Sequence, residues 1–135
     1  MAATRTHATG TIEMQQWEER PFAETEGTPK LTRANGSDLY HGDIEGEATF
    51  EYLMMYHDAG TATYIGLERV VGRLGGRQGS FVLQISGTFE GGTVKASWSV
   101  VEGSGTGDLR GLRGEGTLVW EDSQHSTVTL DYELA

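Results

Sequence analysis

From Ile44 to His57 the side chains alternate between two chemistries with a period of two. Ile44, Ala48, Phe50, Tyr52, Met54 and Tyr56 share one face, and Glu45, Glu47, Thr49 and Glu51 share the other. Successive side chains of an extended strand point to opposite faces, so this segment reads as a strand with one buried side. The pattern recurs. Val94, Ala96, Trp98 and Val100 alternate with Thr93, Lys95, Ser97 and Ser99, and Val128, Leu130 and Tyr132 keep step further on. Nothing in the chain sustains helical periodicity.

Roughly eight such runs are legible. They cover about His7–Glu19, where Ile12 and Met14 share a face, and then Leu31–Tyr40, Ile44–His57, Thr61–Val71, Ser80–Phe89, Thr93–Val101, Gly116–Glu121 and Ser126–Leu134. Asn35-Gly36 reads as a turn or bulge inside the second run, and Arg20–Lys30, which holds both prolines, reads as a loop. Gly42-Asp43 is expected to bend the chain, and Asp58-Ala-Gly60, Gly72–Gly79 and Glu90-Gly91-Gly92 are expected to turn it. Glycine makes up 20 of the 135 residues, about twice its usual share of roughly 7%, as many tight turns require. Connections this short join antiparallel neighbours. The expectation is one all-β domain spanning residues 1–135, a single eight-stranded antiparallel β-barrel whose interior holds side chains or one small ligand. A β-sandwich would bury the same alternating faces.

The formal net charge is −10, which disfavours nucleic acids and anionic membrane surfaces as partners. Without cysteine, disulfides, thiolate nucleophiles and cysteine metal sites are excluded. Met1–His7 has no apolar core of the signal-peptide type, and no run is long enough to span a membrane as a helix, so a cytoplasmic location is expected.

The densest glycine segment is Gly103-Ser-Gly-Thr-Gly-Asp-Leu-Arg-Gly-Leu-Arg-Gly-Glu-Gly116. A phosphate loop would need a lysine followed by Ser or Thr and a helix start, whereas here Asp108 follows Gly107 and no lysine is present. The dinucleotide spacing fails as well, because Arg110 stands where its third glycine belongs. A structural corner fits better, with Leu109 and Leu112 plugging the end of the barrel. Gly105-Thr-Gly107-x-Leu109, followed by Gly111 and Gly114, resembles the corner of allene oxide cyclase and dirigent barrels. His7-Ala-Thr-Gly-Thr11, Pro29-Lys-Leu-Thr-Arg33, Gly42-Asp-Ile-Glu-Gly-Glu47, Gly66-Leu-Glu-Arg69, Gly79-Ser-Phe-Val-Leu-Gln84, Gly87-Thr-Phe-Glu-Gly-Gly92 and Leu130-Asp-Tyr132 resemble the bacterial domain-of-unknown-function 3224 family nearly end to end. The chain departs from that family's pattern at Ile85, where His is frequent, and at His57, where Arg is frequent. The resemblance implies an eight-stranded, allene-oxide-cyclase-like barrel with a calycin-like cavity. It also implies a homo-oligomer, and a way of working in which a water-excluding cavity folds a small organic substrate.

Glu68 is the candidate catalytic residue. Period two puts Tyr64, Gly66, Glu68 and Val70 on one face and Ile65, Leu67, Arg69 and Val71 on the other; both faces are mixed, so the interior side stays open. Facing inward, Glu68 would have a raised pKa and serve as a general acid or base, with Gly66 leaving room for a ligand. Facing a basic neighbour such as Arg33 or Arg69, it would be a structural ion pair. Tyr52, Tyr56, Tyr64 and Trp98 are candidate cavity walls or ordinary core. Arg33 is a candidate anion anchor and Gln84 a candidate cavity amide, with surface roles as their alternatives. His41, Asp43, Glu45 and Glu47 are spaced by two, but the bend at Gly42-Asp43 breaks their register, and His7, His41, His57 and His125 are scattered, so no metal is expected. No serine sits in a nucleophile elbow. The functional expectation is a cofactor-free isomerase or cyclase acting on a small organic substrate. The alternatives are a non-catalytic ligand carrier or, more weakly, a scaffold protein with a filled barrel.

Overall fold

The computed structural model describes residues 5–122 and 125–134, apart from the side chain of His125. Met1–Thr4 and His125 as a side chain therefore lie outside the described part. Nine strands follow one another: β1 Thr6–Ala23, β2 Lys30–Gly42, β3 Ile44–Asp58, β4 Thr61–Leu74, β5 Arg77–Glu90, β6 Thr93–Val100, β7 Thr106–Gly107, β8 Leu112–Asp122 and β9 His125–Leu134. All pairings are antiparallel and belong to one sheet. Its order runs β4-β3-β2-β1-β9-β8-β6-β5, and β4 also pairs with β5, so the sheet closes into a ring. The described residues contain no helix. Eight strands answer the eight legible runs; the ninth, β7, is a two-residue piece inside the glycine segment, paired with Gly79 and Ser80 of β5.

The inward faces form one apolar core. Each run contributes alternate residues to it: Ala48, Phe50 and Tyr52 from β3, Phe81, Leu83 and Ile85 from β5, Val128 and Leu130 from β9. The glycine segment packs Leu109 and Leu112 into this core, and both are fully buried. Gly105 makes that possible: a Cβ there would lie 2.0 Å from the Leu109 carbonyl oxygen. The chain therefore doubles back on itself at a point where only glycine fits.

At β1 the ring parts. The ladder between β1 and β9 covers only Thr6–Gly10. Just beyond it, the Ser126 hydroxyl bridges to the Ile12 backbone, accepting from its N–H at 2.8 Å and donating to its carbonyl at 3.0 Å. After a bulge between Met14 and Gln16, β1 continues as an arm paired, among the described residues, with β2 alone.

Two expectations need correction. The Arg20–Lys30 loop is shorter than expected, because β1 runs on to Ala23 and Pro21 pairs with Thr32. Proline is tolerated there because the arm has a free edge, where no N–H is required. Asn35-Gly36 makes no turn: β2 runs straight through, with Gly36 opposite both Trp17 and Phe50. A Cβ on Gly36 would lie 1.9 Å from the Gln16 carbonyl and 2.7 Å from the Phe50 ring. The glycine marks a close approach, and the bulge lies across from it on β1.

Candidate functional site

Residues Thr32, Ala34, Asp38 and Tyr40 of β2 keep step and face inward. On β4 the inward set is Ala62, Tyr64, Glu68, Val70 and Leu74. The strand between them, β3, places small Ala48 opposite Asp38 and Phe50 opposite Glu68. Ala48 lies opposite both Asp38 and Val70, and Gly46 lies opposite Tyr40 and Gly72. The carboxyls of Asp38 and Glu68 face each other across β3, close enough for a proton on one to bond the other. Their residues are 4% and 1% exposed. The Tyr40 hydroxyl donates to Glu68 Oε1 from the other side.

Burial pushes the Glu68 carboxyl well above the usual carboxylate range, and neighbouring Asp38 pushes it further, while the Tyr40 hydrogen bond opposes both. Asp38 is also raised by burial, and the hydrogen bond from Glu68 offsets part of that. Two carboxyls in contact away from water do not both ionise, so the pair holds a proton between them. Asp38 Oδ1 and Glu68 Oε2 find no N–H or O–H donor in the structure among the described residues. Tyr40, Tyr52 and Tyr64 are all raised by burial and by the charge of Glu68, so their hydroxyls stay protonated donors.

Beside the pair lies a cavity of about 340 Å³, within the usual range for small-molecule sites. Asp38 is on its wall, whereas Glu68 stands behind Asp38. Ile12 and Trp17 flank the cavity on the β1 side of the parting, Leu118 and Trp120 on the β8 side. An aromatic row runs along the wall: Trp17 to Phe50 at 5.8 Å between ring centroids, Phe50 stacked on Tyr52 at 4.5 Å, and Tyr52 to Tyr64 at 5.0 Å. At one edge Glu19 Oε2 accepts hydrogen bonds from Thr32 Oγ1 at 2.6 Å and from the Tyr56 hydroxyl. Burial and then Glu19 push Tyr56 up to about 12. Lys30 Nζ sits 4.8 Å from the centre of the Tyr56 ring.

The expected site residues separate into three groups. Tyr52, Tyr56 and Tyr64 line the cavity, and Glu68 faces the interior just behind it. Trp98 is core rather than wall: its indole N–H donates to the Thr129 carbonyl at 2.9 Å and its ring lies 6.3 Å from that of Tyr40. Arg33 and Gln84 lie outside. Inward Ala34 turns Arg33 to the outer face, where it pairs with Glu51 at 3.2 Å. Inward Leu83 and Ile85 do the same to exposed Gln84. Neither anchors anything in the cavity. The room expected at Gly66 is taken by Tyr52, whose Cδ1 would lie 2.5 Å from an added Cβ. His41 contacts Glu13 at 3.4 Å and Asp43 accepts from the Thr9 N–H at 3.0 Å, and no metal-holding group of three side chains forms among the described residues.

Asp38, Tyr40 and Glu19 escaped the sequence reading. For Asp38 and Tyr40 a signal existed: both keep step with Ala34, and a lone acid in step with an apolar set is a buried acid. Reading Asn35-Gly36 as a turn broke that step. Glu19 lies beyond the β1 bulge, which shifts its register and hides it from period-two counting.

Fold and site together define a small all-β protein whose closed sheet surrounds an apolar cavity carrying an acid pair. Residues 8–132 match the family described as protein of unknown function (DUF3224), and the chain belongs to that family. It is similar to a crystal structure of a protein of unknown function from the DUF3224 family of Shewanella oneidensis MR-1. That protein is 30% identical, with a TM-score of 0.79, and the match covers 98% of this chain and 99% of the other. No curated protein matches. No helix among the described residues is long and apolar enough to cross a membrane.

Proposed function

We propose that this chain is a small-molecule-binding β-barrel of the allene-oxide-cyclase-like type, and that it acts as a cofactor-free isomerase or cyclase. One observation carries the reading: Asp38, paired with buried Glu68, stands on the wall of a mostly apolar, aromatic-lined cavity, and burial raises both carboxyls. Asp38 is the group that meets the substrate. As a carboxylate it takes a proton from a C–H next to an electron-withdrawing group, and returns it to another carbon of the same molecule. Glu68 acts through Asp38 by holding the pair's proton in place. Tyr52 and Tyr64 donate hydrogen bonds to a substrate oxygen, and the dry wall strengthens each of these interactions. The proton leaves and returns, so no cofactor is consumed.

A non-catalytic carrier is the second reading. It is favoured by the mutual satisfaction of Asp38, Glu68 and Tyr40, which gives the pair a structural role without a ligand.

The test has two parts. A library of small apolar compounds is screened by thermal shift against the wild type and a cavity-filling Leu118→Trp variant. Hits lost in the filled variant support the cavity reading; an absence of such hits contradicts it. Cavity hits are then held in deuterated water with wild type and with Asp38→Asn. Deuterium entering carbon only with the wild type supports catalysis, and no incorporation supports the carrier.

A further inference from the structure

Among the described residues the cavity wall carries two acids, Asp38 and Glu19, and no Lys, Arg or His. The nearest basic side chain, Lys30, rests its Nζ 4.8 Å from the centre of the Tyr56 ring and is not part of the lining. The Asp38–Glu68 pair is buried with no basic group on the wall beside it. No cation pairs with either carboxyl among the described residues. A buried polar group without a partner is costly, and the structure offers this pair only the Tyr40 hydroxyl as a donor. Asp38 Oδ1 and Glu68 Oε2 lack an N–H or O–H donor.

The surroundings suit a positive charge. Phe50, Tyr52 and Tyr64 present consecutive rings along the same wall, and ring faces attract cations within about 6 Å. Glu19 adds a second acid on the way in. With a net charge of −10, the chain as a whole attracts cations and repels anions.

We infer that the ligand of this cavity is an apolar amine, bound as its ammonium ion against Asp38 with its hydrocarbon or aromatic body along the Phe50–Tyr52–Tyr64 row. This rests on the cavity reading above and adds a charge class to it. It also runs against a carboxylate ligand, which the sequence reading allowed through Arg33: that guanidinium is outside, and nothing on the wall neutralises an anion.

The experiment compares phenethylamine, phenethyl alcohol and phenylacetate, which share a body and differ in head group. Each is titrated calorimetrically into the wild type at neutral pH. The amine is expected to bind at least about tenfold more tightly than the alcohol, with phenylacetate weakest. In Asp38→Asn the amine's advantage disappears while the alcohol's affinity holds, and circular dichroism checks that the variant is folded. Equal affinity for amine and alcohol, or tighter binding of phenylacetate, overturns the inference and leaves the cavity reading standing. No binding by any of the three overturns both.

Discussion

Asp38 and Glu68 stand on strands that are not neighbours, yet their carboxyls meet, because Ala48 on the strand between them fills so little of the space. The protein thus keeps a titratable pair inside its core, which has consequences for stability and for ligands.

The pair makes stability fall as pH rises. Both carboxyls are raised in the folded state, so the folded protein holds protons that the unfolded chain has released. The stabilisation is complete below the ordinary carboxylate range and is lost as pH climbs toward the raised values, at up to about 1.4 kcal/mol per pH unit for each proton. Glu68→Gln removes the titrating group. Urea unfolding from pH 5 to 8 is expected to show a smaller decline in the variant, which becomes the more stable of the two at the upper end.

Tyr40→Phe takes away the donor to Glu68 Oε1 and leaves that oxygen buried. A loss of about 1–3 kcal/mol is expected by denaturant unfolding. Because the Tyr40 hydrogen bond holds the Glu68 pKa down, the same variant raises it further.

Leu109→Ala empties a fully buried position in the glycine segment and is expected to cost about 2–5 kcal/mol. Arg33→Ala, on the outer face, breaks only an exposed ion pair and is expected to stay within about 1 kcal/mol of the wild type. Chemical denaturation of both variants checks the contrast between corner and surface.

The tryptophans report separately on the site. Trp17 and Trp120 line the cavity, whereas Trp98 is buried in the core. Binding of a cavity ligand should change the fluorescence of the wild type and of Trp98→Phe alike. The doubly substituted Trp17→Phe, Trp120→Phe protein should lose the response.

Much of the ring of strands was legible, because alternation in Ile44–His57 and Thr93–Val101 is a direct image of one buried face. The site was legible only in part. Glu68 could be named, but its direction could not be read: Ile65, Leu67 and Val71 are apolar and exposed on the opposite face. Its direction follows from pairing, with Phe50 on one side and Leu83 on the other. Arg33 and Gln84 looked like anchors because charge and amide chemistry suit a cavity, while strand parity put both outside. Asp38 was missed because a turn read at Asn35-Gly36 broke its step with Ala34, and its contact with Glu68 across an intervening strand is one that no local pattern encodes.

Carbon-13 NMR of the Asp and Glu side-chain carboxyls, followed against pH, tests the central claim most directly. The account predicts that the Glu68 signal keeps the chemical shift of a protonated acid well above the usual carboxylate range, and that Asp38→Asn changes the Glu68 curve. Titration of Glu68 in the ordinary carboxylate range would contradict it.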